Sequence, residues 1–374
     1  IRIPVTWKDH IGGAPDYTID KAWMDRVEEV VKWALSNEMY VILNTHHDEW
    51  VTLTTGSQSS VTEELIKIWT QIAERFKNCN DFLVFETLNE PRLYGTQYEW
   101  SGGTDEARKV LNAYNKTIVT TIRGTGGNNA LRHIMIPTHA ATPMAAAQDA
   151  LVIPNNDSRI IISQHTYWPY NFTMNKSAGA TSSWGSATDK KECDDELDRI
   201  VNKFVKKGIP VVVGEWGAID KSNTEARATH AQYYANAVRK RGMLSVYWDN
   251  GYEKAEGFAL LKRSTCTWLY QTIVDGLIKG VNDVPVNINE MKRQSVSHDY
   301  NIVGSRVRYF LPEPQQVAFR IFNLQGKNIT TIINGLQAKG FHEFRMPNTI
   351  SSGNYVFELK TGNHIFSKNI AISK

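Results

Sequence analysis

Short apolar runs alternate with amphipathic stretches through the first 280 residues of the chain. Seven of these runs predict strands, because they are short, several are rich in Val and Ile, and most are apolar on both faces. That pattern is typical of parallel strands that are covered on both sides. The predicted strands are residues 1–7, 40–45, 83–88, 132–137, 160–165, 210–215 and 244–248.

Between the strands, apolar residues recur at intervals of three and four, which predicts helices with one buried side. Asp20 is placed to cap the first helix, whose predicted buried residues are Trp23, Val27, Val30 and Leu35. Thr62 is placed to cap the second, whose predicted buried residues are Leu65, Trp69, Ile72 and Phe76. Further helices are predicted at about 105–123, 193–207, 225–241 and 267–279.

Strand–helix repetition over this length predicts an α/β fold, either a (β/α)-barrel or a doubly wound sheet. An eight-stranded TIM barrel needs one strand more than the seven found. Because the chain starts inside a predicted strand, we expect the first strand of a (β/α)8 barrel to lie upstream of residue 1. The barrel is assigned to residues 1–280.

The pattern changes after residue 280. Residues 281–300 are typical of a linker, and residues 301–374 contain short alternating segments separated by turn signals such as Ser352-Gly353-Asn354. This arrangement predicts a small antiparallel β-sandwich. Its predicted strands are residues 306–310, 316–322, 341–346, 355–360 and 366–372.

Composition narrows the class of ligand. Lys plus Arg number 42 and Asp plus Glu number 39, which leaves a net charge of only +3. Binding to nucleic acid needs a basic surface, so we expect no nucleic-acid partner and a neutral ligand instead. No window approaches the roughly 18 apolar residues of a membrane span. The three cysteines are widely separated and form no zinc or redox motif.

Two glutamates end predicted strands. Glu90 follows the third complete strand in Leu88-Asn89-Glu90-Pro91, and Glu215 ends the sixth in Gly214-Glu215-Trp216-Gly217. Strand ends of a parallel barrel meet at one face, so both carboxylates are expected in one cleft. Glycoside hydrolysis uses such a pair, in which one carboxyl group protonates the leaving oxygen and the other attacks or activates water.

Other strand ends supply candidate supporting residues. His46 and His47 follow the second strand and suit hydrogen bonding to a carboxylate or a sugar. A metal-dependent hydrolase that uses both histidines is an open alternative. No third ligand at a metal-binding spacing is evident in the sequence, however. His165 and Tyr167 share one face of the fifth strand. The remaining candidates are Arg2, which would need a carboxylate partner inside the barrel, and Trp248, at the end of the last strand.

Together these segments resemble family 5 glycoside hydrolases, the cellulase family of retaining (β/α)8 enzymes. The matching segments, in the family's order, are Ile1-Arg2-Ile3-Pro4-Val5, His46-His47, Leu88-Asn89-Glu90-Pro91, His165-Thr166-Tyr167, Gly214-Glu215-Trp216-Gly217 and Trp248. The resemblance implies that Glu90 is the acid/base and Glu215 the nucleophile. It implies that the substrate-binding residues are Arg2, His46, His47, Asn89, His165, Tyr167 and Trp248. It implies neither a metal nor a cofactor.

The implied activity is an endo-β-1,4-glucanase acting on cellulose-type glucans as a monomer. Xyloglucan, mixed-linkage glucan, mannan and xylan remain open as substrates, and so does a non-catalytic carbohydrate-binding barrel. Candidates for outlying sugar subsites are Trp50, Trp168 and Trp184.

The last 70 or so residues resemble the sorting domain of the type IX secretion system. The matching segments are Phe322-Asn323-Leu324-Gln325-Gly326-Lys327, Gly340-Phe341-His342, Ser352-Gly353-Asn354-Tyr355-Val356 and Lys360-Thr361-Gly362. This resemblance implies recognition by the secretion machinery and a secreted or surface-attached protein. A carbohydrate-binding module is the alternative, but no Trp follows Trp268.

Overall fold

The computed structural model describes residues 1–283, 300–303, 306–311, 314–347, 349–361 and 364–372. The chain divides into two units, Ile1–Val286 and Asn287–Lys374. The predicted boundary at residue 280 falls inside the last helix of the first unit, and most of the predicted linker lies outside the described residues.

One parallel sheet runs through the first unit, with its seven strands adjacent in chain order. All seven predicted strands are confirmed, and the fold is the predicted barrel of parallel strands and helices. The strands are β1 (Arg2–Ile3), β2 (Val41–Asn44), β3 (Leu83–Glu86), β4 (Ile134–Pro137), β5 (Ile160–His165), β6 (Val211–Trp216) and β7 (Leu244–Tyr247). The upstream eighth strand stays a prediction.

Eight α-helices are described in this unit. They are α1 (Lys21–Ser36), α2 (Gln58–Phe76), α3 (Asp105–Gly124), α4 (Ala145–Ala150), α5 (Tyr170–Thr173), α6 (Ala187–Lys203), α7 (Thr224–Lys240) and α8 (Gln271–Asn282). Asp20 caps α1 as predicted, by accepting a hydrogen bond from the backbone N–H of Trp23. The buried side of α1 is shifted from the predicted one to Met24, Val27, Val31 and Ala34.

Three predicted helix starts are wrong. Thr62 lies inside α2, which begins four residues earlier because Val61 is buried with the rest of the apolar side. Helix α6 begins at Ala187 rather than 193, since Ser186 and Asp189 form a capping box that fixes an earlier start. Helix α8 begins at Gln271, because Thr267–Trp268 forms a short antiparallel pair, β9, with β8 (Leu261–Lys262).

Alternation along the strands decides which side chains enter the barrel. In β3, Leu83 and Phe85 pack into the large core beneath the helices, whereas Val84 belongs to a small inner cluster with Ile42, Met135 and Val212. The position after Val84 on the same face is Glu86. A polar layer therefore follows the apolar inner layer toward the carboxyl ends of the strands.

Seven strands form the described part of the second unit. They are β10 (Tyr300–Val303), β11 (Arg306–Leu311), β12 (Gln315–Asn323), β13 (Asn328–Gln337), β14 (Gly340–Arg345), β15 (Gly353–Thr361) and β16 (His364–Ile372). The sheets β10-β11-β14 and β13-β12-β15-β16 enclose one apolar cluster, as in the predicted sandwich. The sequence prediction missed β10 and β13.

Candidate active site

Arg2 lies at the centre of the polar layer, at the start of β1, and its side chain is 2% exposed. Its Nη1 donates to Glu215 Oε1 at 2.6 Å, and its Nη2 donates to Asn89 Oδ1 at 2.7 Å. Its Nε donates to Glu86 Oε2 at 2.7 Å. Burial opposes the charge, but the two carboxylates outweigh burial and raise the pKa of Arg2 above its ordinary value. The predicted need for a carboxylate partner is confirmed.

Glu215 is the more buried of the two predicted carboxylates. A register shift in the pairing of β5 with β6 places it opposite His165. The Tyr167 hydroxyl donates to Glu215 Oε2 at 2.8 Å, so each carboxylate oxygen has a donor. Burial alone would raise the pKa of Glu215, but His165, Arg2 and Tyr167 together hold it well below its usual range. Glu215 is therefore ionised at neutral pH.

Glu90 has a different environment at the end of the β3 segment. His165 Nδ1 lies 2.8 Å from Glu90 Oε1 and 3.7 Å from Glu215 Oε2. Burial would lower the pKa of His165, but the two carboxylates raise it above its ordinary value. A Cβ on Gly214 would lie only 3.0 Å from His165 Nε2, so this glycine makes room for the ring.

The two glutamates face each other across a short gap. One oxygen of Glu90, one oxygen of Glu215 and a ring nitrogen of His165 all lie within 4.8 Å of one another. These are metal-ligand types, but Arg2 and Tyr167 already donate to both oxygens of Glu215, and the buried cation opposes a second one. The arrangement suits chemistry by a pair of carboxyl groups.

His46 and Trp248 form a wall of the site. Their rings stack with centroids 5.7 Å apart. Burial, with Arg2 nearby, lowers the pKa of His46 to about 3, so the ring is neutral. Asn44 Nδ2 lies 3.3 Å from His46 Nδ1, which fits a neutral ring that accepts at this nitrogen. His47 is exposed and meets the edge of His46 at the rim. The metal-ligand cluster found among the described residues includes neither histidine.

The sequence prediction missed a group of buried polar residues around the site, namely Glu86, Asn44 and Ser163. Glu86, fully buried at the end of β3, binds Arg2 and accepts hydrogen bonds from Asn44 Nδ2 at 3.0 Å and Ser163 Oγ at 2.6 Å. The sequence did hold a signal, since a glutamate continues the inward alternation of a strand that is otherwise apolar.

Arg92 was also missed. Its Nη1 donates to the Glu90 carbonyl at 3.0 Å and lies 3.6 Å from Glu90 Oε2, while its Nε donates to Glu99 at 3.0 Å. The guanidinium carbon lies 4.1 Å from the centroid of the Tyr94 ring and 4.4 Å from that of Trp100. Arg92 thus ties the loop after β3 to the backbone of Glu90.

The three candidate subsite tryptophans differ. Trp184 packs against Phe172 and Tyr233, and Trp50 donates its indole N–H to Asp48 while it packs on the core. Trp168 is 38% exposed beside Tyr167 at the end of β5. Packing therefore accounts for Trp50 and Trp184, and Trp168 remains a subsite candidate.

Known proteins are similar to this chain. The model of the family "Cellulase (glycosyl hydrolase family 5)" matches residues 1–254 of the 374. The chain is 50% identical over 290 residues to the cellulase/esterase CelE of Acetivibrio thermocellus, covering 76% of this chain and 35% of that protein. It is 47% identical over 285 residues to endoglucanase B of Clostridium cellulovorans, covering 75% of this chain and 65% of that protein.

A solved structure is similar as well. A GH5-4 broad specificity endoglucanase from Clostridium acetobutylicum superposes with a TM-score of 0.73 at 48% identity, over 74% of this chain and 84% of that one. The chain spans 35% and 65% of the length of the two curated relatives. With the family model covering most of the barrel unit, this chain belongs to the cellulase family, glycosyl hydrolase family 5.

Proposed function

We propose that the protein is a retaining endo-β-1,4-glucanase, with Glu215 as nucleophile and Glu90 as acid/base. The observation that carries this proposal is the short gap between the two carboxyl groups, which have oxygens within 4.8 Å of each other. Retaining enzymes keep their carboxyl groups roughly 5 Å apart, whereas inverting enzymes leave room for a water between them.

The first step uses the different environments of the two glutamates. The ionised Glu215 attacks the anomeric carbon, the glycosidic C–O bond breaks, and protonated Glu90 gives its proton to the leaving oxygen. Arg2 and the Tyr167 hydroxyl keep Glu215 ionised and fix its orientation. Arg2 also holds the Asn89 amide, which we place at the sugar 2-hydroxyl.

The second step reverses the roles. Glu90 takes a proton from water, the water oxygen bonds to the anomeric carbon, and Glu215 leaves as a carboxylate. His165, which contacts Glu90 Oε1, orients this acid/base in both steps. Trp248, backed by His46, offers a flat face to the sugar at the point of cleavage.

Cellulose-type glucan is the proposed substrate class. The similar proteins include a cellulase/esterase and an endoglucanase, and one relative of known structure is a broad specificity endoglucanase. The near-neutral net charge and the aromatic wall fit an uncharged polysaccharide. We propose that His47, at the rim beside His46, contributes to substrate binding.

A substrate panel tests the activity. Carboxymethyl cellulose, mixed-linkage glucan, xyloglucan, mannan and xylan are incubated with the protein, and released reducing ends are counted. We expect the highest rate on a β-1,4-glucan, with the β-anomer formed first in proton NMR. An α-anomer formed first would contradict retention, and no release from any polysaccharide would favour a binding barrel.

The second unit is proposed to be a sorting domain for type IX secretion, which makes the protein secreted or surface-attached. In its support, the Asn323–Lys327 segment forms a tight turn: Gly326 has a φ of 78°, and Asn323 Oδ1 accepts from the backbone N–H groups of Gln325 and Lys327. The described part of the unit is built of β-strands. As a separate finding, no helix among the described residues of the chain is long and apolar enough to cross a bilayer.

Export tests this assignment. A reporter fused to residues 287–374 is expressed in a bacterium with type IX secretion and in a matched strain that lacks it. We expect the reporter outside the cell only in the first strain. Binding of the isolated unit to insoluble cellulose, without export, would favour a carbohydrate-binding module. We propose a monomer, which sedimentation at micromolar concentration tests.

A further inference from the structure

Glu86 is a buried carboxylate that the proposed reaction does not use. It ends β3, it is fully buried, and its oxygens accept from Arg2 Nε, Asn44 Nδ2 and Ser163 Oγ. These donors come from β1, β2 and β5, so the position of the carboxylate is set by three other strands. A carboxylate in this position acts on the reacting atoms only through the side chains that it binds, and chief among these is Arg2.

Each nitrogen of Arg2 has one acceptor. Nε is bound by Glu86, Nη1 by Glu215 and Nη2 by Asn89. A planar guanidinium held at Nε has its other two nitrogens aimed in fixed directions. Glu86 binds Arg2 at Nε, so both terminal nitrogens are left to meet the nucleophile and the sugar-binding amide. Glu86 therefore sets the direction from which Arg2 reaches both of them.

The change in charge at Glu215 during the reaction gives Glu86 a second role. In the free enzyme the buried Arg2 cation faces two carboxylates, Glu86 and Glu215. When Glu215 attacks the anomeric carbon, its negative charge becomes part of an ester bond, and the electron pair of the broken glycosidic bond leaves with the oxygen that Glu90 protonates. From that moment Glu86 is the carboxylate that remains with Arg2.

We propose that Glu86 is a positioning residue that serves as the permanent counter-ion of Arg2 through the covalent stage of the reaction. This inference rests on the retaining mechanism proposed above. Without the Glu86 charge, formation of the glycosyl-enzyme would leave a buried cation with no carboxylate, which is a costly state. Hydrolysis of the intermediate regenerates the Glu215 carboxylate and so restores a partner to Arg2.

The two chemical steps should therefore respond differently to Glu86→Gln. Glutamine has nearly the same shape but no charge, so formation of the covalent intermediate should slow by roughly 100-fold. Its breakdown should proceed at the wild-type rate or faster. A residue that merely kept the site folded would slow both steps by a similar factor.

An activated 2-deoxy-2-fluoro-cellobioside separates the steps. Mass spectrometry follows the growth of the label on the protein and, after removal of excess reagent, its loss. Glu196→Gln is the matched control, because Glu196 is a buried carboxylate on α6 outside the site. We expect slow labelling with unslowed loss for Glu86→Gln, and wild-type values for the control.

Equal factors on both steps, or no change in either, would overturn the inference. If the Gln variant does not fold by circular dichroism, Glu86→Asp replaces it. That variant keeps the charge, so it should keep the ratio of the two rates within roughly threefold of wild type, and a larger change would overturn the counter-ion role. A wild-type protein that never takes the label would instead remove the retaining mechanism, and the inference with it.

Discussion

The two units bury different kinds of side chain. At the carboxyl ends of its strands the barrel encloses Arg2, Glu86 and Glu215 as one ion-paired group. The described core of the C-terminal unit is a cluster of side chains such as Phe319 and Phe357. Among the residues whose burial is described there, Thr361 alone is a buried polar side chain.

The difference distinguishes side chains that only stabilise a fold from side chains that can also take part in a reaction. An apolar core gains free energy from burial whatever its detailed arrangement, and it offers no group that can move a proton. Buried charges are costly unless each has its partners, so a complete set of them is retained where a reaction uses it. The contrast predicts that substitutions in the two regions will affect different measurements.

The largest expected effect is on activity. Glu215→Gln should reduce kcat by roughly four orders of magnitude or more, because no carboxylate remains to attack. The melting temperature should change little, since the amide still offers an acceptor to Arg2. Steady-state hydrolysis of soluble β-glucan and calorimetry measure the two effects.

Glu90→Gln is the matched control for that variant. With an aryl leaving group, which needs little protonation, it should still take a covalent label, whereas Glu215→Gln should not. A label found on Glu90 of the wild-type protein would reverse the two assignments.

A smaller loss is expected for Arg2→Lys. Lysine keeps the charge, but its single ammonium cannot hold Glu86, Glu215 and Asn89 in the geometry of a guanidinium. We expect kcat to fall by roughly 100-fold and unfolding to become easier by about 3 kcal/mol, the scale of a broken buried pair. Kinetics and denaturant titration of the barrel transition measure both, and unchanged kcat would place Arg2 outside the mechanism.

A matched pair of core substitutions tests the contrast directly. Phe85 and Phe319 are both fully buried against other aromatic rings, Phe85 in the barrel and Phe319 in the C-terminal unit. Phe→Ala at either site should cost its own unit about 3–5 kcal/mol. Only Phe85→Ala should lower the temperature at which activity is lost. If Phe319→Ala inactivates the enzyme equally, the separation of roles is wrong.

The smallest expected effect is on the pH dependence of stability. Burial lowers the pKa of His46 to about 3 and those of His139 and His230 to about 4. The unfolded chain binds these protons at a pH of about 6.5, whereas the folded protein binds them only at the lower pKa values. Because the unfolded state binds more protons in this range, the stability of the folded protein falls as the pH drops from 6.5 to 4. The raised pKa of His165 acts oppositely, since its contribution is lost above pH 6.5. Within this window, burial raises the pKa of Glu196 to about 7 and that of Asp48 to about 6, which opposes the fall, but two carboxyl groups do not offset three histidines.

Melting temperatures recorded from pH 4 to 7.5 check this sign. His139 is buried in the barrel unit outside the catalytic contacts, so His139→Leu should give a shallower fall on the acid side. A variant with an equal or steeper fall would show that His139 does not carry its share of the pH dependence.

Local patterns predicted most of the barrel. The seven strands were found because each is short and apolar on both faces, and Glu90 and Glu215 were found because they end such runs. Helix starts were harder to predict. The start of α2 depends on burial of Val61 against distant elements, whereas the start of α6 follows from the local capping box of Ser186 and Asp189.

The sequence by itself determined the alternation of strands and helices, the end of the strands at which chemistry is expected, and the residue types placed there. It did not determine the pairing of those residues. Arg2 is 84 positions from Glu86 and 213 from Glu215, and only the arrangement of the parallel strands around a common axis brings their side chains within hydrogen-bonding distance. Secondary-structure propensity and the periodicity of apolar residues depend on a few neighbouring residues in the chain. A buried ion pair depends instead on which strands become neighbours in the sheet and on the exclusion of water from between the paired side chains.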